Sequence, residues 1–373
     1  MLNATKRPRL VLFIGHHKVG STSLQDYFAR NAPALAKAGI LYPFVDFQGL
    51  SYLAAGLAKP AEDFDSLPMN VREPHNALAF RMIATSQDEK VPGYHQKLPG
   101  LPQMEHALHQ QLTYFDPHTV VMAAEVFANF AVRCPEMIER LLAVFEGFDV
   151  TLLATFRRVD EYLMSWHGQR LKFGHTLRRL SKDGLDDFLG GIHFDYGRML
   201  EGWLTHLPDA KIILRDYADV RRAGGSVADF IAQGELQMPD GLRGERRQND
   251  SLHRGIYELV RRGNIDLARP LPGQYRSVLR DLSDMMDLPN SNEIELFGAD
   301  VREQIVEKFA PINARLGEIA QMNGPFFTDD DAVLKTLPVS EDEVMVSAKA
   351  QALKLWPEHG PVSDVRDYLV SQT

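Results

Sequence analysis

Hydrophobic and polar residues are distributed along this chain in blocks that switch between short apolar runs and helical patterns. Several apolar runs are short and partly β-branched, as expected for buried strands of a parallel sheet: Leu10–Ile14, Thr119–Ala123, Val150–Thr155 and Lys211–Leu214. Amphipathic stretches at helical spacing lie between and after them: Ser21–Ala38, Met137–Phe145, Glu161–Phe173, Tyr196–His206 and Val227–Gln233. This alternation predicts an α/β fold with a central, mostly parallel sheet flanked by helices.

Two further regions complete the predicted organisation. Residues 45–100 contain many prolines and a helical pattern at Asn76–Ile83, which indicates a helical insertion over the sheet edge and not a separate domain. The C-terminal third is predicted to be helical in the segments 252–263, 273–286, 300–322 and 339–356. We therefore predict a single α/β domain over residues 1–330, followed by a helical C-terminal extension over residues 331–373.

Composition and charge favour a globular protein and disfavour some partners. The chain has 373 residues, of which 45% are hydrophobic and 24% charged, so it can bury a large core. Its net charge of −9 disfavours nucleic acid, which is bound by basic surfaces. The single cysteine, Cys134, excludes an intramolecular disulfide and fits a reducing compartment. Without a signal peptide or a long apolar stretch, we expect a cytoplasmic protein with no integral membrane segment.

Residues 15–23 form a glycine-flanked segment between the first predicted strand and its helix, which predicts an anion-binding loop. Backbone N–H groups and hydroxyl side chains at a helix N-terminus bind phosphate; a tight turn capped by a serine is the alternative. In ATP-binding loops of the pattern G-x-x-x-x-G-K-[ST], lysine directly follows the second glycine. Here Gly15 and Gly20 have that separation, but Ser21 occupies the lysine position and the lysine lies inside the loop, at Lys18. The loop therefore indicates chemistry other than that of ATP.

A second candidate anion contact is Arg157, directly after the predicted strand 150–155. Its guanidinium can make a bidentate contact to a phosphate. Ser165 follows eight positions later, on the next predicted helix. A salt bridge from Arg157 to the neighbouring Asp160 or Glu161 is the alternative. Anion binding by Arg157 is favoured because the glycine-flanked loop and Arg157 are predicted to lie at the same edge of the sheet.

In these motifs the chain resembles the bacterial branch of the PAPS-dependent sulfotransferases, in the P-loop sulfotransferase superfamily. The family's first loop has the pattern K-[TS]-G-[TS]-[TS], matched here by Lys18, Gly20, Ser21 and Thr22, with Val19 as a departure. The family's second motif, a strand-end arginine with a serine eight positions on, is matched by Arg157 and Ser165. Other similar segments are Ser23–Gln25, Asn31, Ala38–Pro43, Asn249–Leu252 and Asn264. The resemblance covers roughly residues 10–323, and is weakest over 45–100.

This resemblance implies a P-loop-like sulfotransferase fold, a donor and a set of binding residues. The donor would be 3′-phosphoadenosine 5′-phosphosulfate (PAPS), with adenosine 3′,5′-bisphosphate (PAP) as product and no metal. Lys18 would neutralise the bridging oxygen, and Arg157 with Ser165 would hold the 3′-phosphate. Arg247, or its neighbour Arg246, would add a late basic contact. The loop residues implied in donor binding are Lys18, Val19, Gly20, Ser21, Thr22 and Ser23.

The acceptor hydroxyl needs a general base, for which Glu125 is the first candidate. It follows the strand 119–123, so it should face the edge that holds Lys18. Helix capping or orientation of Lys18 is the alternative role. His17 and His16 are the second candidates, because histidine titrates near neutral pH; a histidine in this loop could instead pack against the adenine or the substrate. His75, in the insertion, is predicted either to touch the acceptor or to lie on the surface.

The function expected from this set of residues is sulfuryl transfer from PAPS to a hydroxyl of a carbohydrate or glycoconjugate, by in-line displacement. One alternative is an ATP-dependent small-molecule kinase, which would require lysine in place of Ser21. The other is a catalytically silent binding module with a nucleotide fold, against which the presence of Lys18 argues. The sequence predicts neither the identity of the acceptor nor the oligomeric state.

Overall fold

The computed structural model describes residues 7–59, 67–95, 97–246, 251–356 and 363–372. Within these ranges the strands are β1 Arg9–Phe13, β2 Ile40–Leu41, β3 Thr119–Ala123, β4 Asp149–Phe156, β5 Lys211–Asp216, β6 Ile294–Glu295 and β7 Val339–Ser340. The α-helices are α1 Ser21–Lys37, α2 Phe47–Ala58, α3 Met69–Arg72, α4 Pro74–Gln87, α5 Leu101–Phe115, α6 Phe130–Arg133, α7 Glu136–Ala143, α8 Val159–Lys172, α9 Asp186–Leu189, α10 Tyr196–His206, α11 Tyr217–Arg222, α12 Ser226–Gln233, α13 Tyr257–Asp266, α14 Leu271–Ser283, α15 Ala299–Ile319, α16 Asp330–Leu334, α17 Glu341–Leu355 and α18 Ser363–Ser371. Short 3₁₀ helices span Glu125–Asn129, Arg254–Ile256 and Ser291–Glu293.

In the described part of the chain, five strands form one parallel sheet in the order β2-β3-β1-β4-β5. β1 lies between β3 and β4, so that Leu10 aligns with Val120 on one side and with Val150 on the other. The chain visits β2 and β3 on one side of β1 before it crosses to β4 and β5. Ligands of such sheets bind beyond the carboxyl ends of the strands, where this reversal occurs. The predicted α/β class with a parallel sheet is confirmed.

The described residues divide into two compact units. The first takes those within 1–158, 196–248 and 315–326, and it contains the whole five-stranded sheet. The second takes those within 159–195, 249–314 and 327–373, and is mostly helical with the short parallel pair β6 and β7. The boundaries of these units differ from the predicted division at residue 330. No helix in the described ranges combines the length and the apolar character needed to cross a membrane.

Helix α1 packs its apolar face into the core of the first unit. Leu24, Phe28 and Leu35 are almost fully buried, as the helical spacing predicts. The ring of Phe28 lies 5.7 Å from that of Tyr42, just after β2, and 5.5 Å from that of Phe230 on α12. Burial of such side chains contributes about 1.5–3 kcal/mol each to folding. These contacts fix α1 against the sheet, and with it the loop that precedes the helix.

A buried ion network lies in the core of the second unit. Arg302 on α15 is 1% exposed. Its guanidinium lies 2.9 Å from Glu295 of β6 and 3.4 Å from Asp160 near the start of α8. It also donates to the carbonyl of Val333, on α16, at 2.7 Å. Removing one partner of such a network leaves an uncompensated buried charge, so Arg302 specifies how these segments pack.

Candidate functional site

The loop from β1 to α1 begins as a continuation of the sheet. The His16 amide donates to the Thr155 carbonyl and the Thr155 amide donates to the Gly15 carbonyl, both at 2.8 Å. Gly15 has a φ of 115°, and a Cβ there would lie 3.3 Å from both Ala128 Cβ and the Glu125 carbonyl oxygen. Glycine at this position lets the loop approach the backbone of Glu125 closely.

Gly20 ends the loop and precedes the first residue of α1. Its φ is 85°, and the Ser226 hydroxyl donates to its carbonyl at 2.9 Å. A Cβ on Gly20 would lie 2.9 Å from that same hydroxyl oxygen. Within the described residues no side chain caps α1. The first-turn amides, together with the hydroxyls of Ser21–Ser23, therefore form the kind of helix end that binds anions.

Lys18 lies between these two glycines in a left-handed conformation, with a φ of 62°. Non-glycine residues adopt this region rarely, and usually where the surroundings force it at a functional site. The next residue, Val19, is 1% exposed and packs into the core, whereas Lys18 is only partly buried. The buried Val19 thus holds the loop while Lys18 lies at the carboxyl edge of the sheet.

The two loop histidines have different environments. His16 is fully buried, its Nδ1 accepts from the His17 amide at 2.7 Å, and its ring centroid lies 5.2 Å from that of Tyr196. Burial, with the charge of Lys18 as a smaller cause, lowers the pKa of His17 to about 4. His17 is therefore neutral near pH 7, and the neighbouring cation opposes its protonation.

Glu125 directly follows the strand-end residues of β3 and is held by two side-chain amides. Gln25 of α1 donates to its Oε2 at 2.7 Å, and Asn76 of α4 donates to its Oε1 at 3.1 Å. An ionised carboxylate only accepts hydrogen bonds, so two donors fit its charged form. Helix α1 and the insertion therefore orient the carboxylate from two directions.

A second carboxylate, Glu73, lies next to Glu125 and was missed by the sequence analysis. Asn76 donates to Glu73 Oε2 at 3.1 Å, so one amide bridges both acids. Burial, then the charge of Glu125, raises the pKa of Glu73, although Arg72 at 2.7 Å opposes the shift. Glu73 precedes α4 and lies three positions before Asn76, and this i, i+3 spacing could have suggested the contact.

Buried polar atoms surround this acidic pair. Burial, followed by the charges of Glu73 and Glu125, raises the pKa of the Tyr42 hydroxyl well above its usual range. Within the described residues, neither the Tyr42 hydroxyl nor Gln25 Oε1 has a hydrogen-bond partner. Unpartnered buried polar atoms require water or a polar ligand. The side chains of Tyr42, Gln25, Glu73 and Glu125 thus form one polar cluster.

His75 links the insertion to the sheet beside this polar cluster. Its Nδ1 accepts from the Ala123 amide at 3.0 Å, and its Nε2 therefore carries the proton toward the Pro43 carbonyl, also at 3.0 Å. The side chain is fully buried, and burial lowers its pKa to about 3. The predicted surface position is therefore wrong. As for the alternative, a contact to the acceptor, both ring nitrogens already form hydrogen bonds with backbone groups. His75 joins the insertion to the ends of β2 and β3.

Arg157 lies at the carboxyl end of β4, as predicted. Its guanidinium lies 5.5 Å from the centroid of the Tyr217 ring, and its carbonyl accepts from the Tyr196 hydroxyl at 2.9 Å. Tyr217 directly follows β5, so neighbouring strand ends supply the pair. Ser165 lies on α8 in the second unit. The pairing of Arg157 with Ser165 stays a prediction.

The segment 243–246 runs along α1 toward its N-terminus. Asn31 exchanges two hydrogen bonds with the Arg243 backbone, of 2.8 and 3.1 Å, and Arg30 donates to the Gly244 carbonyl at 2.8 Å. Ser23 donates to the Arg246 carbonyl at 3.3 Å. The structure therefore brings Arg246, one of the two late basic candidates, beside the anion-binding end of α1. The other, Arg247, lies outside the described residues, as do residues 249–250 of the C-terminal motif.

Neither metal ligation nor similarity to known proteins adds to the functional assignment. Within the described ranges, no group of three or more His, Cys, Asp or Glu side chains is placed to hold a metal ion. No family model, curated protein or solved structure matches the chain. The functional assignment therefore depends on the motifs in the sequence and on the geometry of the site.

Proposed function

We propose that this chain is a PAPS-dependent sulfotransferase with a P-loop-like sulfotransferase fold, acting on a hydroxyl of a carbohydrate or glycoconjugate. The observation that supports this most is the loop itself. Lys18 lies inside the loop in a strained left-handed conformation, and the uncapped helix α1 begins immediately after Gly20. An ATP-dependent kinase would need a lysine at position 21, where Ser21 is 6% exposed.

The described residues fit a donor that has phosphate groups. The loop amides and the hydroxyls of Ser21–Ser23 would bind the 5′-phosphate, because the positive end of α1 lies there. Arg157 would bind the 3′-phosphate, with Ser165 as its proposed partner. The Tyr217 ring, 5.5 Å from the guanidinium, would hold Arg157 at the strand end, and the planar guanidinium can make a bidentate contact to a phosphate. Bound PAPS would supply the sulfuryl group.

Lys18 and Glu125 have complementary roles in this proposal. The Lys18 ammonium neutralises negative charge on the oxygen from which the sulfuryl group departs. Glu125 removes the proton of the acceptor hydroxyl, and the amides of Gln25 and Asn76 hold its carboxylate for that transfer. Glu73 lies beside this carboxylate, and burial, then the charge of Glu125, raises the pKa of Glu73.

Glu125 is a better candidate base than His17. Protonation of His17 would place a second positive charge beside Lys18, and this repulsion contributes to its pKa of about 4. Glu125 instead presents a carboxylate that is oriented by two side-chain amides, those of Gln25 and Asn76. We therefore assign His17 to packing within the loop.

Thermal denaturation with added nucleotides tests this function. PAP should raise the melting temperature in a concentration-dependent way, because it binds the folded state only. ATP with magnesium should have a much smaller effect, because the loop lacks the kinase lysine. Stabilisation by ATP with magnesium and not by PAP would refute the proposal. Stabilisation by neither would refute nucleotide binding altogether.

A further inference from the structure

A cavity of about 710 Å³ opens in the first unit, beside the start of α2. Its volume is in the range of about 300–1,000 Å³ that is typical of small-molecule sites. Three parts of the insertion contribute to its lining: residues within 46–51, residues 68–70, and Tyr94, Lys97 and Pro99. The first of these parts begins five residues after β2 ends.

Two aromatic side chains line the cavity and are exposed to solvent. Phe47 is 84% exposed at the first position of α2, and Tyr94 is 49% exposed. The Tyr94 ring is held by ring contacts with Phe80 at 6.0 Å and His95 at 5.1 Å. An aromatic face carries partial negative charge and attracts polarised C–H groups. The C–H faces of a pyranose ring are of this kind, so these rings suit a sugar better than a flexible apolar chain.

Polar groups in the same cavity are fixed in place. Asn70 donates to Asp46 Oδ2 at 3.1 Å and accepts from His95 Nδ1 at 3.0 Å, so its amide is oriented before any ligand binds. Gln48 and Ser51 add hydroxyl and amide groups from the exposed face of α2. A few preorganised polar groups among aromatic side chains are typical of ligand sites that bind hydroxyl groups.

Charge in and near the cavity favours a neutral sugar. The Tyr94 hydroxyl is close enough to Glu73 and Glu125 that their charges, after burial, raise its pKa to about 12. The cavity therefore shares an electrostatic environment with the acidic pair. A sulfated sugar or a uronic acid would be repelled by these carboxylates, and Lys97 is the cation that the lining offers against them.

We propose that this cavity binds the pyranose ring of a neutral sugar, with Phe47 and Tyr94 against its C–H groups and with Gln48, Ser51 and Asn70 binding its hydroxyls. Its role as the acceptor subsite rests on the proposed sulfuryl transfer. Binding of the sugar does not depend on that transfer and can be measured without a donor.

Saturation-transfer NMR on the full chain tests the proposal. The probes are methyl β-D-glucopyranoside, methyl β-D-galactopyranoside, methyl α-D-mannopyranoside and N-acetylglucosamine, with glucuronic acid and sorbitol for comparison. At least one neutral pyranoside should bind saturably, and F47A and Y94A should each weaken it about tenfold. The variant Tyr94→Phe keeps the ring and should retain binding. Matched controls are Tyr114→Ala and Phe173→Ala, which remove exposed aromatic rings elsewhere and should change nothing.

Three results would each overturn the inference. The first is that no neutral pyranoside binds, and the second is that wild type, Phe47→Ala and Tyr94→Ala bind the sugar equally. The third is that glucuronic acid or sorbitol binds as well as the neutral pyranosides. Circular dichroism checks that each variant is folded. PAP binding, measured on the same samples, separates this inference from the proposed function. Sugar binding without PAP binding would refute the sulfotransferase and leave the sugar site; PAP binding without sugar binding would refute only the site.

Discussion

Lys18 has its position because of its immediate neighbours. Gly15 and Gly20 adopt backbone conformations that other residues rarely adopt, and the buried Val19 holds the intervening turn against the core. The lysine is thus presented by a loop that is rigid on both sides. Lys18 lies at the carboxyl edge of the sheet, and its charge contributes to lowering the pKa of His17.

Substitution of Lys18 by alanine should lower the rate of sulfuryl transfer at least about 100-fold, because the charge on the departing oxygen loses its neutralising partner. The rate of PAP release in the presence of an acceptor measures this. Lys37→Ala, at the exposed C-terminal end of helix α1, is the matched control and should retain full activity. Full turnover in Lys18→Ala, with the fold intact, would contradict the role assigned to Lys18.

The variant Glu125→Gln should lose most activity while it keeps PAP affinity. The amide preserves size but cannot accept the proton of the hydroxyl group, and a loss of about 10²–10⁴ is typical for a general base. Asn76→Ala should cause a smaller loss, because Gln25 still holds one carboxylate oxygen. The ratio of the two kcat values separates a positioning residue from the base, because the loss in Asn76→Ala should be well below the loss in Glu125→Gln. An unchanged rate in Glu125→Gln would exclude it as the base.

At the scale of elements, the strand–loop–helix unit was predictable because its signals are local. The predicted strand at residues 119–123 and the helix at residues 196–206 match the structure residue for residue. β2 was not predicted, because two residues show no periodicity. Glu73 and the cavity beside α2 depend on how α3 packs against α2 and α4, and no pattern along the sequence predicts that Glu73 lies beside Glu125.

The start of α1 depends on close packing between Gly20 and Ser226. Gly20→Ala should destabilise the protein by about 1–3 kcal/mol, since a left-handed φ is costly for alanine and its Cβ would lie 2.9 Å from the Ser226 hydroxyl oxygen. Urea denaturation measures the free energy of unfolding. Ser226→Ala loses one hydrogen bond but removes the nearest atom and leaves the Cβ of residue 226 at 3.1 Å, so the double variant should cost less than the sum of the single ones. Strict additivity would show that the contact is not limiting.

At the scale of the whole molecule, buried neutral histidines should limit stability in acid. Burial lowers the pKa to about 3 for His75 and for His167, and to about 4 for His17. In the unfolded chain these groups take up protons near pH 6.5, whereas in the folded protein they do so only near pH 3–4. The unfolded state thus binds more protons in this window, and stability falls as the pH drops from about 6.5 to 3.

Each of these histidines should contribute a slope of up to about 1.4 kcal/mol per pH unit in that window. His75→Gln should therefore be less stable than wild type at pH 7, because the glutamine amide fits the two backbone partners less well, but should lose less stability between pH 6 and 4. Above pH 7 the two proteins should share the same pH dependence. Equal slopes between pH 6 and 4 would show that His75 titrates normally in the folded state.

The two compact units could not be read from the linear pattern. The chain leaves the first unit at residue 158, returns for 196–248 and again for 315–326. Hydrophobic periodicity reports which face of an element is buried but not which unit covers it. The predicted division at residue 330 follows the linker at Pro325–Asp331, whereas residues within 327–373 group with 159–195 and 249–314.

The most direct measurement is a calorimetric comparison of PAP with 5′-AMP, which lacks the 3′-phosphate, and with ATP plus magnesium. PAP should bind at least about tenfold more tightly than either, because a charge-assisted contact to Arg157 contributes about 1.5–3 kcal/mol. Arg157→Ala should bring PAP to the affinity of 5′-AMP, and Arg158→Ala, its neighbour, is the matched control. Equal affinity for PAP and 5′-AMP in the wild type, or tighter binding of ATP with magnesium, would contradict a PAPS-dependent sulfotransferase.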